Sequence, residues 1–162
     1  MSNKCIFCRI AQKEIPPLGK SIIYEDENTL AWLSPFPNTE AFTIIITKQH
    51  YPSDVLDLPD KVIQQLMRAA KNVSEMIIDA YEDVGRVGMI AEGMGINHAH
   101  IKLSPMHKTS FLKSGEWKQT SSGEARNEYY KKYPGFISSH DAKKVADKKL
   151  QEQQQKILDA NK

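Results

Sequence analysis

An α+β fold with an antiparallel sheet is predicted by three observations. Short apolar runs at residues 22–24 and 29–33 flank the polar Glu25-Asp26-Glu27-Asn28, the pattern of a hairpin. One long segment, residues 60–82, repeats apolar positions every three or four residues, and two strand-like runs at 87–91 and 96–103 follow it. Strands grouped on either side of one helix, rather than alternating with helices, give α+β and not α/β.

Each element has its own justification. Residues 4–12 carry Ile6, Ile10 and Ala11 near helical spacing, and Pro16-Pro17 closes this short helix. Ser34-Pro35-Phe36-Pro37-Asn38 is a loop, because two prolines remove two ladder donors. Residues 41–47 form the best strand on composition, since Thr43 through Thr47 are β-branched throughout. In the long helix Val62, Leu66, Ala69, Val73, Met76 and Ala80 make one buried stripe, with Met67 and Met76 assigned to packing. Pro59 suits the first turn and Gly85 lies just past the end. Residues 108–133 are polar with little periodicity, and their aromatics Trp117, Tyr129, Tyr130 and Tyr133 are assigned to surface packing ahead of covering a site, contacting a partner subunit or selecting a ligand. Ser139 caps a final helix at about 141–159 with a thin stripe of Val145, Leu150 and Ile157.

The 162 residues suit one domain, residues 1–107, with a partly helical C-terminal extension, residues 108–162. A net charge of +2, with no basic run interleaved with aromatics, argues against nucleic-acid binding. No segment reads as a signal peptide or a membrane span, so a cytoplasmic protein with no membrane partner is expected.

The chemistry concentrates in residues 93–103. In a regular strand from Ile96, alternation puts His98, His100 and Lys102 on one face and Ala99, Ile101 and Leu103 on the other, toward a core. Two imidazoles and an amine in a row suit a phosphate or metal site, and Gly93 and Gly95 let backbone approach a ligand closely. The only cysteines, Cys5 and Cys8, form C-x-x-C, which in a reducing compartment is a metal pair or a redox motif. Cys5 and Cys8 with His50 and His98 make a tetrahedral zinc set. A pair of buried or weakly redox-active cysteines is the alternative.

These residues fall in a recognisable order. Cys5-Ile6-Phe7-Cys8-Arg9-Ile10 precedes Glu14-Ile15-Pro16, then Ile23-Tyr24-Glu25-Asp26 and Leu30-Ala31-Trp32-Leu33-Ser34-Pro35-Phe36-Pro37. The run from Ala41 to Tyr51 and His98-Ala99-His100-Ile101-Lys102 complete the set. Over about residues 5–105 the chain resembles the histidine triad (HIT) superfamily. The resemblance implies a five-stranded antiparallel sheet with one long helix, paired into a homodimer. It implies hydrolysis or transfer of a nucleoside monophosphate group from a nucleoside phosphoramidate or dinucleoside polyphosphate. His100, the middle triad position, would attack the α-phosphate, and Cys5, Cys8, His50 and His98 would hold a structural zinc. Ser34, Phe36, Gly93, Met94 and Gly95 would contact the nucleotide, the glycines through their backbone N–H groups. Three positions depart from the family pattern: Lys102 replaces the third histidine, Ala41-Phe42 replaces Gly-His, and Ser34 replaces the ribose-binding aspartate. Lys102 suits phosphate binding better than proton delivery, since lysine is a weak acid at neutral pH. The departures motivate a second reading, a nucleotide-binding regulatory protein that has lost the chemistry.

Overall fold

A computed structural model describes residues 5–118, 130–139 and 144–161. The chain divides into two compact units, Met1–Lys118 and Gln119–Lys162. The first contains α1 (Ile6–Ala11), β1 (Ile22–Glu25), β2 (Thr29–Leu33), β3 (Thr43–Thr47), α2 (Asp60–Ala80), β4 (Arg86–Ile90) and β5 (His100–Met106). The five strands make one antiparallel sheet in the order β1-β2-β3-β5-β4, as the resemblance implied.

Strand alternation divides the apolar side chains between two cores. Ala31, Ile45, Ala99, Ile101 and Leu103 face α2 and meet Val62, Leu66, Ala69, Ala70, Val73 and Ile77. Leu30, Trp32 and Ile46 face the other way and pack against Phe7 and Ile10 of α1. Each fully buried Leu, Ile or Val contributes about 1.5–3 kcal/mol, so the α2 face carries most of the stability. The turn of the β1–β2 hairpin is fixed by Asp26, whose Oδ1 accepts the N–H groups of Asn28 and Thr29 at 2.8 and 2.6 Å.

The buried stripe of α2 differs from the expected one at its C-terminal end. Ile77 is inside, whereas Ala80 is exposed and Met67 and Met76 are 45% and 44% exposed. A repeat of 3.6 residues drifts against any fixed spacing, and after Val73 the next inward position is four residues on. Pro59 occupies the N-cap position rather than the first turn, and the helix stops at Ala80.

β3 begins two residues later than expected. Ala41 has φ 60°, and the Phe42 N–H donates to the Thr39 carbonyl at 3.2 Å, so residues 39–42 form a turn. A left-handed alanine costs about 1–2 kcal/mol. Part of that gain is offset by the extra freedom glycine has when unfolded, so Ala41→Gly is expected to stabilise by about 1 kcal/mol. The check is a higher urea midpoint at unchanged slope.

β5 is displaced further, running His100–Met106 instead of 96–103. The His98 N–H closes a turn onto the Ile96 carbonyl at 2.8 Å. At the other end the strand continues through Pro105, which pairs with Val87. The last pair with β3 is Thr43↔Leu103, so Pro105 has already passed the end of β3, where a missing N–H costs the ladder nothing.

In the second unit α3 spans Asp147–Asp159. Residues 144–146 are not helical and Ala146 holds the N-cap, so Ser139 is not the cap and the helix starts later than its pattern suggested. Leu150 and Ile157 are exposed and Val145 precedes the helix, so the expected stripe is not buried. Residues 141–143 and Tyr129 lie outside the described residues. Trp117 is exposed, with the Arg86 guanidinium 4.6 Å from its ring centroid, and Tyr130 and Tyr133 are also at the surface. Among the described residues no helix is long and apolar enough to cross a membrane.

Candidate active site and metal centre

The α1 face of the sheet carries two adjoining clusters. Cys5 is the N-cap of α1 and Cys8 lies one turn on, so helical spacing turns both thiols the same way. His50 leaves the end of β3, and His98 lies just before β5. Their ligating atoms all fall within 4.8 Å of one another. His98 Nδ1 is 3.4 Å from Cys5 Sγ, 3.5 Å from Cys8 Sγ and 3.3 Å from His50 Nδ1, and His50 Nδ1 is 3.3 Å from Cys8 Sγ. Bonds of about 2.3 Å to sulfur and 2.0–2.1 Å to nitrogen, at tetrahedral angles, demand S···N edges of about 3.5 Å and N···N edges of about 3.3 Å. The four contacts above, three S···N and one N···N, suit that requirement.

Their protonation also fits a cation. His98 Nε2–H donates to the Thr47 carbonyl at 2.7 Å, which fixes the tautomer and aims the Nδ1 lone pair at the thiols. Burial lowers the His98 pKa, so the ring is neutral at pH 7. Burial, then hydrogen bonding and repulsion from Cys5, pushes the Cys8 thiol up to about 11. Two thiolates cannot share this space without a positive charge between them, which a bound metal ion would supply.

His100 is next on the same face. It is 3% exposed, and its Nδ1–H donates to the His98 carbonyl at 2.7 Å. That bond leaves Nε2 as the nitrogen with the lone pair. Burial is the main cause lowering its pKa, so the neutral, nucleophilic form prevails at pH 7. The Phe7 ring stands edge-on to both imidazoles, 5.8 Å from His98 and 5.5 Å from His100. The expected alternation of faces therefore holds although the strand starts at His100.

Lys102, two residues on, forms an ion pair with Glu92, a residue the sequence reading passed over. No sequence signal marked it: β4 ends at Ile90, opposite Lys102, and the chain leaving that strand brings Glu92 to the Lys102 amine. The segment between is strapped down. Gly93 has φ 65°, and a Cβ there would sit 2.7 Å from the Ser53 carbonyl oxygen. Asn97 Oδ1 accepts the Ser53 N–H at 3.0 Å, a structural role as its position suggested. Gly95 faces open space and Met94 is exposed.

Ser34 and Phe36 stand apart from these groups. Leu30 pairs with Ile46 and Ile46 with His100, so Ser34 lies two strands across and about 13 Å along the strand direction. Ser34 Oγ accepts the Phe36 N–H at 3.2 Å, and Phe36 is 84% exposed.

A third cluster escaped the sequence reading. His107 Nδ1–H donates to Asp83 Oδ1 at 3.1 Å and Nε2–H to the Glu40 carbonyl at 3.2 Å, with the Tyr81 ring 5.4 Å away. With an acceptor at each nitrogen, the protonated ring donates to both and ties the end of β5 to the loops before β3 and after α2. The Glu40 carbonyl, then Asp83, raises the His107 pKa, and His107 lowers that of Asp83. The raised value means His107's stabilisation is complete below about pH 6.5 and disappears as pH rises through the folded pKa. Asp83's is complete above about pH 4 and disappears as pH falls through its lowered pKa. Melting temperature against pH is therefore expected to decline on both sides, and His107→Gln removes the decline on the alkaline side.

The HIT domain matches residues 13–108 of this chain. The chain belongs to the HIT domain family. A HIT-like protein of Methanocaldococcus jannaschii is 31% identical over 127 residues, covering 76% of this chain and 90% of the relative. Adenosine 5'-monophosphoramidase HNT1 of Saccharomyces cerevisiae is 32% identical over 102 residues, covering 62% and 61%. Among solved structures, a zinc-bound histidine triad family protein from Mycobacterium smegmatis superposes with a TM-score of 0.59 at 24% identity, covering 69% of this chain and 81% of that one. Its likeness extends to the fold: the same five-stranded α+β architecture. The HIT family thus includes a named nucleotide hydrolase, and the Cys5, Cys8, His50 and His98 of this member are able to bind a metal.

Proposed function

We propose that this HIT-family protein is a nucleotidyl hydrolase or transferase with His100 as its nucleophile. The observation that carries the reading is the buried, neutral His100, oriented by the His98 carbonyl so that Nε2 keeps its lone pair. Nε2 attacks the α-phosphorus of a nucleoside phosphoramidate or dinucleoside polyphosphate. The N–P bond forms as the bond to the leaving group breaks with its electron pair, an amine leaving group taking up a proton from solvent as it departs. Water then attacks the same phosphorus, the nucleoside monophosphate departs, and His100 is regenerated with one proton released. Lys102 balances phosphate charge, Gly95 and Gly93 offer backbone N–H groups, and a nucleoside extended along the sheet from that phosphate reaches toward Ser34 and Phe36.

In the same reading zinc is structural: it neutralises the two thiolates. Cys5, Cys8, His50 and His98 hold it, which pins α1 to the strand end and fixes the His98 backbone that orients His100. The thiols suit the reducing cytoplasm. We further infer a homodimer through β4, an edge strand of the sheet, where Met89 is exposed.

The test is release of AMP or GMP from a panel of nucleoside phosphoramidates and dinucleoside polyphosphates. Turnover supports the enzyme reading and the best substrate narrows its class. Nucleotide binding without turnover supports the regulatory alternative instead.

A further inference from the structure

The Glu92–Lys102 pair is an odd feature of a site meant for phosphate. An anion pocket needs positive charge, and here Lys102, on the His100 face, is already engaged by a carboxylate. The pair is partly shielded: the Glu92 side chain is 15% exposed and that of Lys102 26%. Partial burial strengthens the Coulombic attraction over that of a surface pair. The ion pair of Glu92 with Lys102, two residues from His100 on the same strand, holds the carboxylate near His100, where it borders the place an attacked phosphorus and its leaving group must sit. The His100 ring feels both charges, Lys102 and Glu92 acting on it with opposite sign. Glu92 is held firmly there, because the next residue, Gly93, packs against the Ser53 backbone.

We propose that Glu92 is a specificity-determining residue: its carboxylate competes with substrate phosphate for Lys102 and disfavours leaving groups that carry negative charge. The proposal rests on the nucleotidyl-transfer reading and goes beyond it by assigning leaving-group choice to a residue. In the free protein the pair contributes no net charge, so a monophosphate must displace Glu92 before it gains Lys102. A polyphosphate leaving group places further negative charge against the carboxylate. An amine leaving group does not, and an amine bearing a second, protonated nitrogen offers Glu92 a new partner.

The experiment compares wild type, Glu92→Gln, Glu92→Asp and Glu92→Gln/Lys102→Met. AMP affinity is measured by calorimetry, and kcat/KM is measured for an N-aminoalkyl AMP phosphoramidate and for diadenosine tetraphosphate. Glu92→Gln is expected to bind AMP about tenfold more tightly and to shift the kcat/KM ratio about tenfold toward the tetraphosphate. Glu92→Asp keeps the charge and stays near wild type in both, and removing Lys102 abolishes the gain in AMP affinity. A generic packing role would lower both kcat/KM values together and leave their ratio in place. AMP affinity and substrate ratio unchanged in Glu92→Gln, in a wild type that binds and turns over nucleotide, would overturn the proposal and spare the nucleotidyl-transfer reading. Failure of both wild type and Glu92→Gln to bind AMP would overturn the two together.

Discussion

Replacing His100 with glutamine is expected to lower nucleoside monophosphate release by about 1,000-fold or more. Glutamine roughly fills the space of the imidazole and its amide can still donate to the His98 carbonyl, so folding is preserved. It has no lone-pair nitrogen to attack phosphorus. Nucleotide affinity is expected to stay within a few fold of wild type, because the groups assigned to hold the phosphate and the nucleoside are untouched. The loss should therefore fall on kcat and not on KM, measured by steady-state kinetics at saturating and limiting substrate. An equal loss in binding would instead make His100 a ligand-contact residue.

Removing the metal is expected to have the second largest effect, and on stability as well as activity. Wild type should carry stoichiometric zinc by elemental analysis, and Cys8→Ser should carry little. Chelation or Cys8→Ser is expected to destabilise by about 3 kcal/mol or more, since a structural zinc site contributes folding energy directly. The loss arises because α1 is only six residues long and its Phe7 covers both His98 and His100. Activity should fall with the metal although no ligand touches the substrate, through loosening of the His98 carbonyl. The pH dependence has a defined sign. Zinc must displace the proton of the Cys8 thiol, which burial and Cys5 hold up to about 11, so affinity weakens as pH falls. Full zinc content and an unshifted melt in Cys8→Ser would remove the metal from the account.

The fold was legible wherever burial acts on one face of a regular repeat. Val62, Leu66, Ala69 and Val73 announced α2, and Thr43 to Thr47 announced β3, because periodicity and β-branching survive in the folded packing. Errors gathered where a strand meets a turn. Ala41 looked like strand on composition, but its positive φ is set by the chain direction before β3, which composition does not encode. Ile96 to His98 alternated correctly yet turned, because the His98 N–H closes onto the Ile96 carbonyl. The face assignment survived that error, since the residues from His98 to Leu103 kept their alternation across the turn.

The site was legible where its chemistry is rare. Two cysteines and two histidines in a chain this short stand out, and their ligating atoms converge. Glu92 did not stand out, because acidic residues are common and its meaning comes only from the fold, which pairs it with Lys102. His107 was missed for a similar reason: Asp83 and Glu40 are distant in sequence and reach it only through the ends of three elements.

The most direct test of the central claim is to quench the reaction in acid-free denaturant within milliseconds of mixing enzyme with the best substrate. The protein is then mapped by mass spectrometry for a nucleoside monophosphate adduct. The account predicts an adduct on His100 that forms before product appears and decays at the turnover rate. Turnover with no protein adduct, or an adduct on a residue other than His100, would contradict it.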